Sequence, residues 1–250
     1  MPRYFIKVAY KGTHYSGFQT QQNAETIQSV IEAALQKIYK STFQLTGSSR
    51  TDAGVHALQN YFHVDTDIEL NLKQVYNLNS VLPRDIIIKQ IKPVLSDMHA
   101  RFSATHREYK YYITRNRNPF LTETAWFYPY NLNLEALQQA AEILLTYADF
   151  TSFSKKNTQV KTFICDIVAS KWLYENDCLV YNVKANRFLR GMVRGLVGTM
   201  LQVGRELISL DEFKQIIEAK DCTKANFTTP STGLFLVEVT YPEDLEKKNS

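Results

Sequence analysis

The stretch Ile27-Gln28-Ser29-Val30-Ile31-Glu32-Ala33-Ala34-Leu35-Gln36-Lys37-Ile38 sets apolar side chains at i, i+3, i+4, i+7, i+8 and i+11. That spacing keeps returning to one side of a 3.6-residue turn, so it predicts an amphipathic helix. The segments around it read as strands instead. Tyr4 to Tyr10 precedes the helix as a strand, and Phe43 to Thr46 and Val55 to Val64 follow it. A second helical stretch, Leu72 to Val81, leads into the strand Ile86 to Val94.

The second half restarts in the same way. Tyr109 to Thr114 is strand-like, Leu134 to Leu145 helical, and Thr162 to Tyr174 with Leu179 to Lys184 predicts a hairpin. Phe188 to Leu201 reads as a long apolar helix. Ser209 with Glu212 three residues later is a capping box opening a helix to about Ala219, and Leu234 to Tyr241 is a closing strand. Strand-helix-strand-strand-helix-strand, twice over, predicts an α+β protein of two tandem ferredoxin-like (RRM-like) units with mostly antiparallel sheets. The expected units are 1–104 and 105–250, with a central cleft that takes residues from both as the natural ligand site.

A chain of 250 residues with 44% hydrophobic and 22% charged residues has the make-up of a globular protein. No apolar run approaches the roughly 20 residues that span a bilayer, and Met1 to Ile6 lacks the apolar core of a signal peptide. A cytoplasmic location with no membrane partner is the expectation. Three cysteines, Cys165, Cys178 and Cys222, at unrelated spacings suit a reducing compartment. His14, His56, His63, His99 and His106 are scattered, so neither a structural nor a catalytic metal is expected.

The net charge of +4 is mild, but its distribution is uneven. Arg107, Lys110, Arg115 and Arg117 cluster in one segment, and Arg187, Arg190, Arg194 and Arg205 in another. Basic groups interleaved with Tyr109, Tyr111 and Tyr112 suit a surface that neutralises phosphates and stacks bases. A solvated strand face with packing tyrosines accounts for the same pattern. On a helix from Phe188, Arg187, Arg190 and Arg194 would share one side, with Arg187 and Arg190 as phosphate contacts and Asp52 as the carboxylate partner expected for Arg194. Gly191, Gly195 and Gly198 would then let a backbone or ligand approach closely. A surface helix with three solvated arginines is the plainer alternative.

The segment richest in chemistry is Gly47-Ser48-Ser49-Arg50-Thr51-Asp52-Ala53-Gly54-Val55-His56-Ala57. It places a carboxylate two residues after a guanidinium in a turn of small residues, a good place to present both to a ligand. A turn that merely caps a strand uses the same residue types.

This segment resembles the active-site motif of the pseudouridine synthases of the tRNA synthase A type. The likeness continues in order through Tyr10-Lys11-Gly12, Gly17 to Gln21, His99 to Ala104, Arg107 to Tyr111, Asp149 to Phe153, Phe188 to Arg194 and Gly233 to Val239. Lys11, Phe18, Gly191 and Gly195 depart from the residues common in that family. The resemblance implies a cofactor-free homodimer that isomerises uridines at positions 38, 39 and 40 of the tRNA anticodon stem-loop. It implies Asp52 as the catalytic carboxylate, with Arg50 as the arginine of the same motif, Tyr109 packed on the target base and Arg194 paired with Asp52; Arg50 is expected to occupy the space left by the flipped nucleotide or to contact its backbone. Two rival readings are a non-catalytic tandem RNA-binding module and a hydrolase that uses Asp52 as general base.

Overall fold

The computed structural model describes residues 1–71, 73–156 and 160–243. Leu72, expected to open a helix, and most of the polar C-terminal stretch 243–250 lie outside them. The fold is mixed α+β with mostly antiparallel strand pairing. The chain forms two compact units, Met1–His106 with Phe235 onward, and Arg107–Leu234.

In the first unit the predicted strand-helix alternation is realised as β1 (Arg3–Tyr10), α1 (Ile27–Tyr39), β2 (Thr46–Gly47), β3 (His56–Asp65), α2 (Gln74–Val81) and β4 (Ile86–Val94). β1 lies between β3 and β4, antiparallel to both, and β2 pairs antiparallel with the far edge of β3 at Phe62 and His63. One face of β1, Tyr4, Ile6, Val8 and Tyr10, is fully buried, whereas on the other only Phe5 is. Phe18 stacks on Phe62 at 4.4 Å, while Phe5 packs with Val94 and Ala100 in a separate cluster. Thr26 caps α1, exchanging bonds with Ser29, and the helix buries its own Ile27, Ile31 and Leu35 side chains. Of the expected strand Phe43 to Thr46, only Thr46 pairs; Phe43 and Leu45 are buried side chains of a connecting segment.

The last strand, β9 (Leu234–Thr240), corrects the expected division at 104/105. It runs parallel to β3, with His56 opposite Phe235 and Ala57 opposite Leu236. Residues from Phe235 therefore belong to the first unit and not to the second. β2 and β9 share one edge of β3, at opposite ends, and the Arg50–Asp52 loop leaves the sheet between them.

The second unit holds β5 (His106–Thr114, from Arg107 on), β6 (Trp126–Phe127), α3 (Leu134–Ile143), β7 (Ile167–Glu175), β8 (Cys178–Ala185), α4 (Met192–Gly204) and α5 (Leu210–Glu218). β8 is antiparallel to both β5 and β7, and β6 pairs parallel with the end of β5. The predicted hairpin is present, but its first strand starts at Ile167. Its two-residue turn, Asn176-Asp177, has both φ angles positive, matching the twist of the flanking strands. Ser209 and Glu212 form the predicted capping box of α5.

The helix expected from Phe188 begins only at Met192. Gly191 has φ 73° at its N-cap, a left-handed value that ends any helical continuity with Phe188–Arg190. Arg187 and Arg190 therefore do not share a helix face with Arg194. All residues of α4 except Arg194 and Gln202 are buried, so it is a core helix with one arginine.

On the other face of β5, Lys110 bonds Glu175 and the Tyr112 hydroxyl donates to the same carboxylate. The bond from Lys110 draws Glu175 below its ordinary pKa, outweighing partial burial, and Tyr112 assists. A carboxyl lowered in the folded state stabilises above its unfolded pKa and loses that contribution as pH falls through the folded value. The Glu175→Gln variant is expected to be less stable than wild type by at most about 1 kcal/mol at pH 7. Urea unfolding across the acid range should show the two proteins converging as pH falls below the ordinary carboxylate pKa.

Candidate active site

Burial alternates along the loop between β2 and β3. Ser49 and Thr51 are buried, Arg50 is exposed and Asp52 half-buried. In a nearly extended segment this alternation sends the two buried residues inward as anchors and leaves Arg50 and Asp52 on the opposite side.

Each anchor has a partner. The Asn60 side-chain amide, wholly buried on β3, donates to the Ser49 carbonyl at 2.9 Å and to the Tyr10 hydroxyl at 3.1 Å. Its oxygen accepts the Tyr61 N–H at 2.9 Å. The Tyr10 and Thr51 hydroxyls are bonded at 2.8 Å, and the Thr51 carbonyl accepts the Phe18 N–H. Ser48 N–H donates to the Tyr61 carbonyl, extending the strand register by one step. Beyond Asp52, a turn closes with Val55 N–H on the Asp52 carbonyl and Gly54 at φ 77°. His56 then accepts the Gly12 N–H at its Nδ1, which in the neutral ring leaves the proton on Nε2, and it stacks on Phe235 at 4.5 Å. The carboxylate is thus carried by a loop fixed on both sides to the strands beneath it. Among the described residues the Arg50 guanidinium has no hydrogen-bond or ion-pair partner within the protein.

The second unit positions the other two predicted residues. Tyr109 and Tyr111 lie on one face of β5, two residues apart. Tyr109 meets Phe188 edge to face, with ring centroids 5.0 Å apart. Tyr111 is fully buried and donates from its hydroxyl to the Pro230 carbonyl at 2.8 Å. Burial pushes its phenol far above the ordinary value, and the nearby charge of Arg194 opposes that rise. The Arg194 Nε donates to the Thr229 carbonyl at 2.7 Å, which fixes the plane of its guanidinium.

The 226–230 segment thus braces both residues. It lies against α4 because Gly198 has no side chain: a Cβ there would sit 2.3 Å from the Asn226 carbonyl oxygen. Thr199 completes the contact, donating to the Gly195 carbonyl and accepting the Asn226 N–H. Of the three glycines expected to admit a close approach, Gly198 receives the protein's own backbone, whereas Gly195 faces the Phe227 ring and Gly191 the Lys155 side chain. Asn60, Tyr10, Phe188 and Thr229 were not singled out by sequence. Asn60 left the only signal, a polar residue inside a strand with no turn or cap to serve.

The first unit offers an ordered carboxylate two residues after an arginine, and the second offers an aromatic ring at Tyr109 and an oriented guanidinium at Arg194. The family model described as tRNA pseudouridine synthase matches residues 6–103 and 140–242, which include Arg50, Asp52 and Arg194, while Tyr109 lies between the two matched segments. The chain belongs to the tRNA pseudouridine synthase family. It is 45% identical to tRNA pseudouridine synthase A of Parabacteroides distasonis over 247 residues, covering 98% of each chain. It is 42% identical to that of Porphyromonas gingivalis, covering 98% of this chain and 99% of the relative. It is 38% identical to that of Thermoanaerobacter pseudethanolicus, covering 96% and 100%. A pseudouridine synthase is an isomerase, converting uridine in tRNA to pseudouridine.

Asn60→Ala is expected to cost about 2–3 kcal/mol, since a buried carbonyl and a buried hydroxyl each lose a donor. It should also slow turnover at saturating tRNA, because the Arg50–Asp52 loop loosens. Urea denaturation and steady-state kinetics on the same preparation check both effects.

Proposed function

We propose that this synthase isomerises uridines at positions 38, 39 and 40 of the tRNA anticodon stem-loop, with Asp52 as its catalytic group. The observation that carries the reading is the Arg50–Asp52 loop, in which buried anchors at Ser49 and Thr51 leave the carboxylate on the opposite side. The reaction breaks the N1–C1′ bond of uridine, turns the base, and joins C5 to C1′, releasing the C5 proton. Nothing is oxidised and no group is imported, so an ionised carboxylate that attacks C1′ or abstracts a sugar proton suffices.

Arg50, Tyr109 and Arg194 are proposed to bind the substrate. Tyr109 stacks on the target base, and its hydroxyl assists removal of the C5 proton. Arg194, its guanidinium oriented by Thr229, brings a fixed positive charge to the bound substrate. Arg50 occupies the space vacated by the flipped nucleotide. The ferredoxin-like reading of the first unit is supported by its strand order β4-β1-β3-β2, with α1 and α2 as the crossings. A cytoplasmic homodimer completes the reading. Its three free cysteines favour a reducing compartment, and the family resemblance favours the dimer.

With tRNA carrying tritium at uridine C5, wild type should release label into water. Asp52→Asn should lower that release by at least about 10²-fold while tRNA binding persists. Retained release by the variant would remove Asp52 from the chemistry. No release by wild type, with tight binding, would favour the RNA-binding module, and free uracil would favour the hydrolase.

Extruding a base from a stem costs a few kcal/mol, which Arg50 helps to offset. Arg50→Ala is therefore expected to slow turnover about tenfold on folded tRNA and clearly less on an unstructured loop of the same sequence. Equal losses on both substrates would refute that role.

A further inference from the structure

Within the first unit, a cavity of about 350 Å³ opens beside the catalytic loop, with Gln19, Gln44, Arg50, His99, Arg101 and Phe102 among its lining residues. Its size is at the lower end for small-ligand sites. Its exposed lining includes the guanidiniums of Arg50 and Arg101, the amides of Gln19 and Gln44 and the Phe102 ring, a chemistry suited to phosphate, base edge and base face respectively.

The 99–102 turn is rigid. His99 Nδ1 accepts the backbone N–H groups of both Arg101 and Phe102, and the His99 N–H donates to Ser103. His63, buried on β3, accepts the Ala100 N–H, and its ring stands edge-on to His99 at 4.5 Å. Burial first, then the charges of Arg3 and Arg101, lowers the His99 pKa, and because Nδ1 accepts, the neutral ring carries its proton on Nε2. Against this support Phe102 packs on His99 at 4.4 Å, with the Arg101 guanidinium 5.5 Å from its ring centre. Phe102 nevertheless remains 75% exposed. A lone exposed phenylalanine needs no explanation. One held rigidly at the mouth of a basic cavity, with an arginine over its ring, has the make-up of a stacking platform.

We propose that this cavity seats one unpaired nucleotide of the tRNA adjacent to the target uridine. Its base stacks on Phe102, Arg101 neutralises its phosphate, and the Gln19 and Gln44 amides face the base edge. Adjacency follows from Arg50, which lines the cavity and stands two residues, at most about 7 Å along the chain, from Asp52. The inference rests on tRNA being the substrate.

The test uses the full chain and compares Phe102→Ala, Phe102→Trp and Arg101→Gln in equilibrium tRNA binding, tritium release and size-exclusion chromatography. Phe102→Ala is expected to weaken tRNA binding about tenfold, and Phe102→Trp to restore it. Arg101→Gln should lower the slope of log affinity against log salt by about 0.7. If Phe102→Ala does not fold, the Arg101→Gln slope decides. Wild-type affinity in Phe102→Ala together with an unchanged slope in Arg101→Gln overturns the proposal. So does a change of oligomeric state with tRNA affinity intact, which would assign the patch to a second copy of this chain. Failure of the substrate assignment shows separately, as absence of tritium release by wild type.

Discussion

A neutral amide in the middle of β3 holds the first unit's chemistry in place. Asn60 is wholly buried and spends its three hydrogen bonds on Ser49, Tyr10 and the backbone of Tyr61. A buried amide is tolerable only when satisfied, so its geometry admits few alternatives. Through Tyr10 the constraint passes from β3 to β1 and on to Thr51, so two adjacent strands and the loop become one hydrogen-bonded piece. Arg50 and Asp52 inherit their direction from these anchors.

The second unit solves a related problem with packing. α4 is buried on nearly every side, and the glycine at 198 lets the 226–230 segment lie against it. That segment supplies the carbonyls that orient Arg194 and the Tyr111 hydroxyl. An arginine on a core helix would be costly if unsatisfied, and the bond it donates to the Thr229 carbonyl both offsets that cost and aims it.

Most of the elements were legible because their signals are local. The apolar spacing over Ile27–Ile38 and the capping residues at Ser209 and Glu212 each depend on neighbours within one or two turns. Ile86–Val94 matched its strand end to end. The start of α4 was missed because a helical period continues numerically through Phe188–Arg190, whereas the positive φ of Gly191 interrupts it. β9 was assigned to the wrong unit because its partner, His56-Ala57, lies some 180 residues away, and strand propensity carries no record of a partner.

The sequence by itself determined the element types, the Arg50–Asp52 motif and the family, because these rest on local periodicity and on residue identities in order. Only the tertiary structure decided that Asn60 and Tyr10 fix the loop. It also decided that Thr229 aims Arg194 across a glycine and that β9 completes the edge of β3. These are contacts between distant segments, and a buried hydrogen bond or a missing Cβ acquires meaning only when the partner backbone arrives beside it.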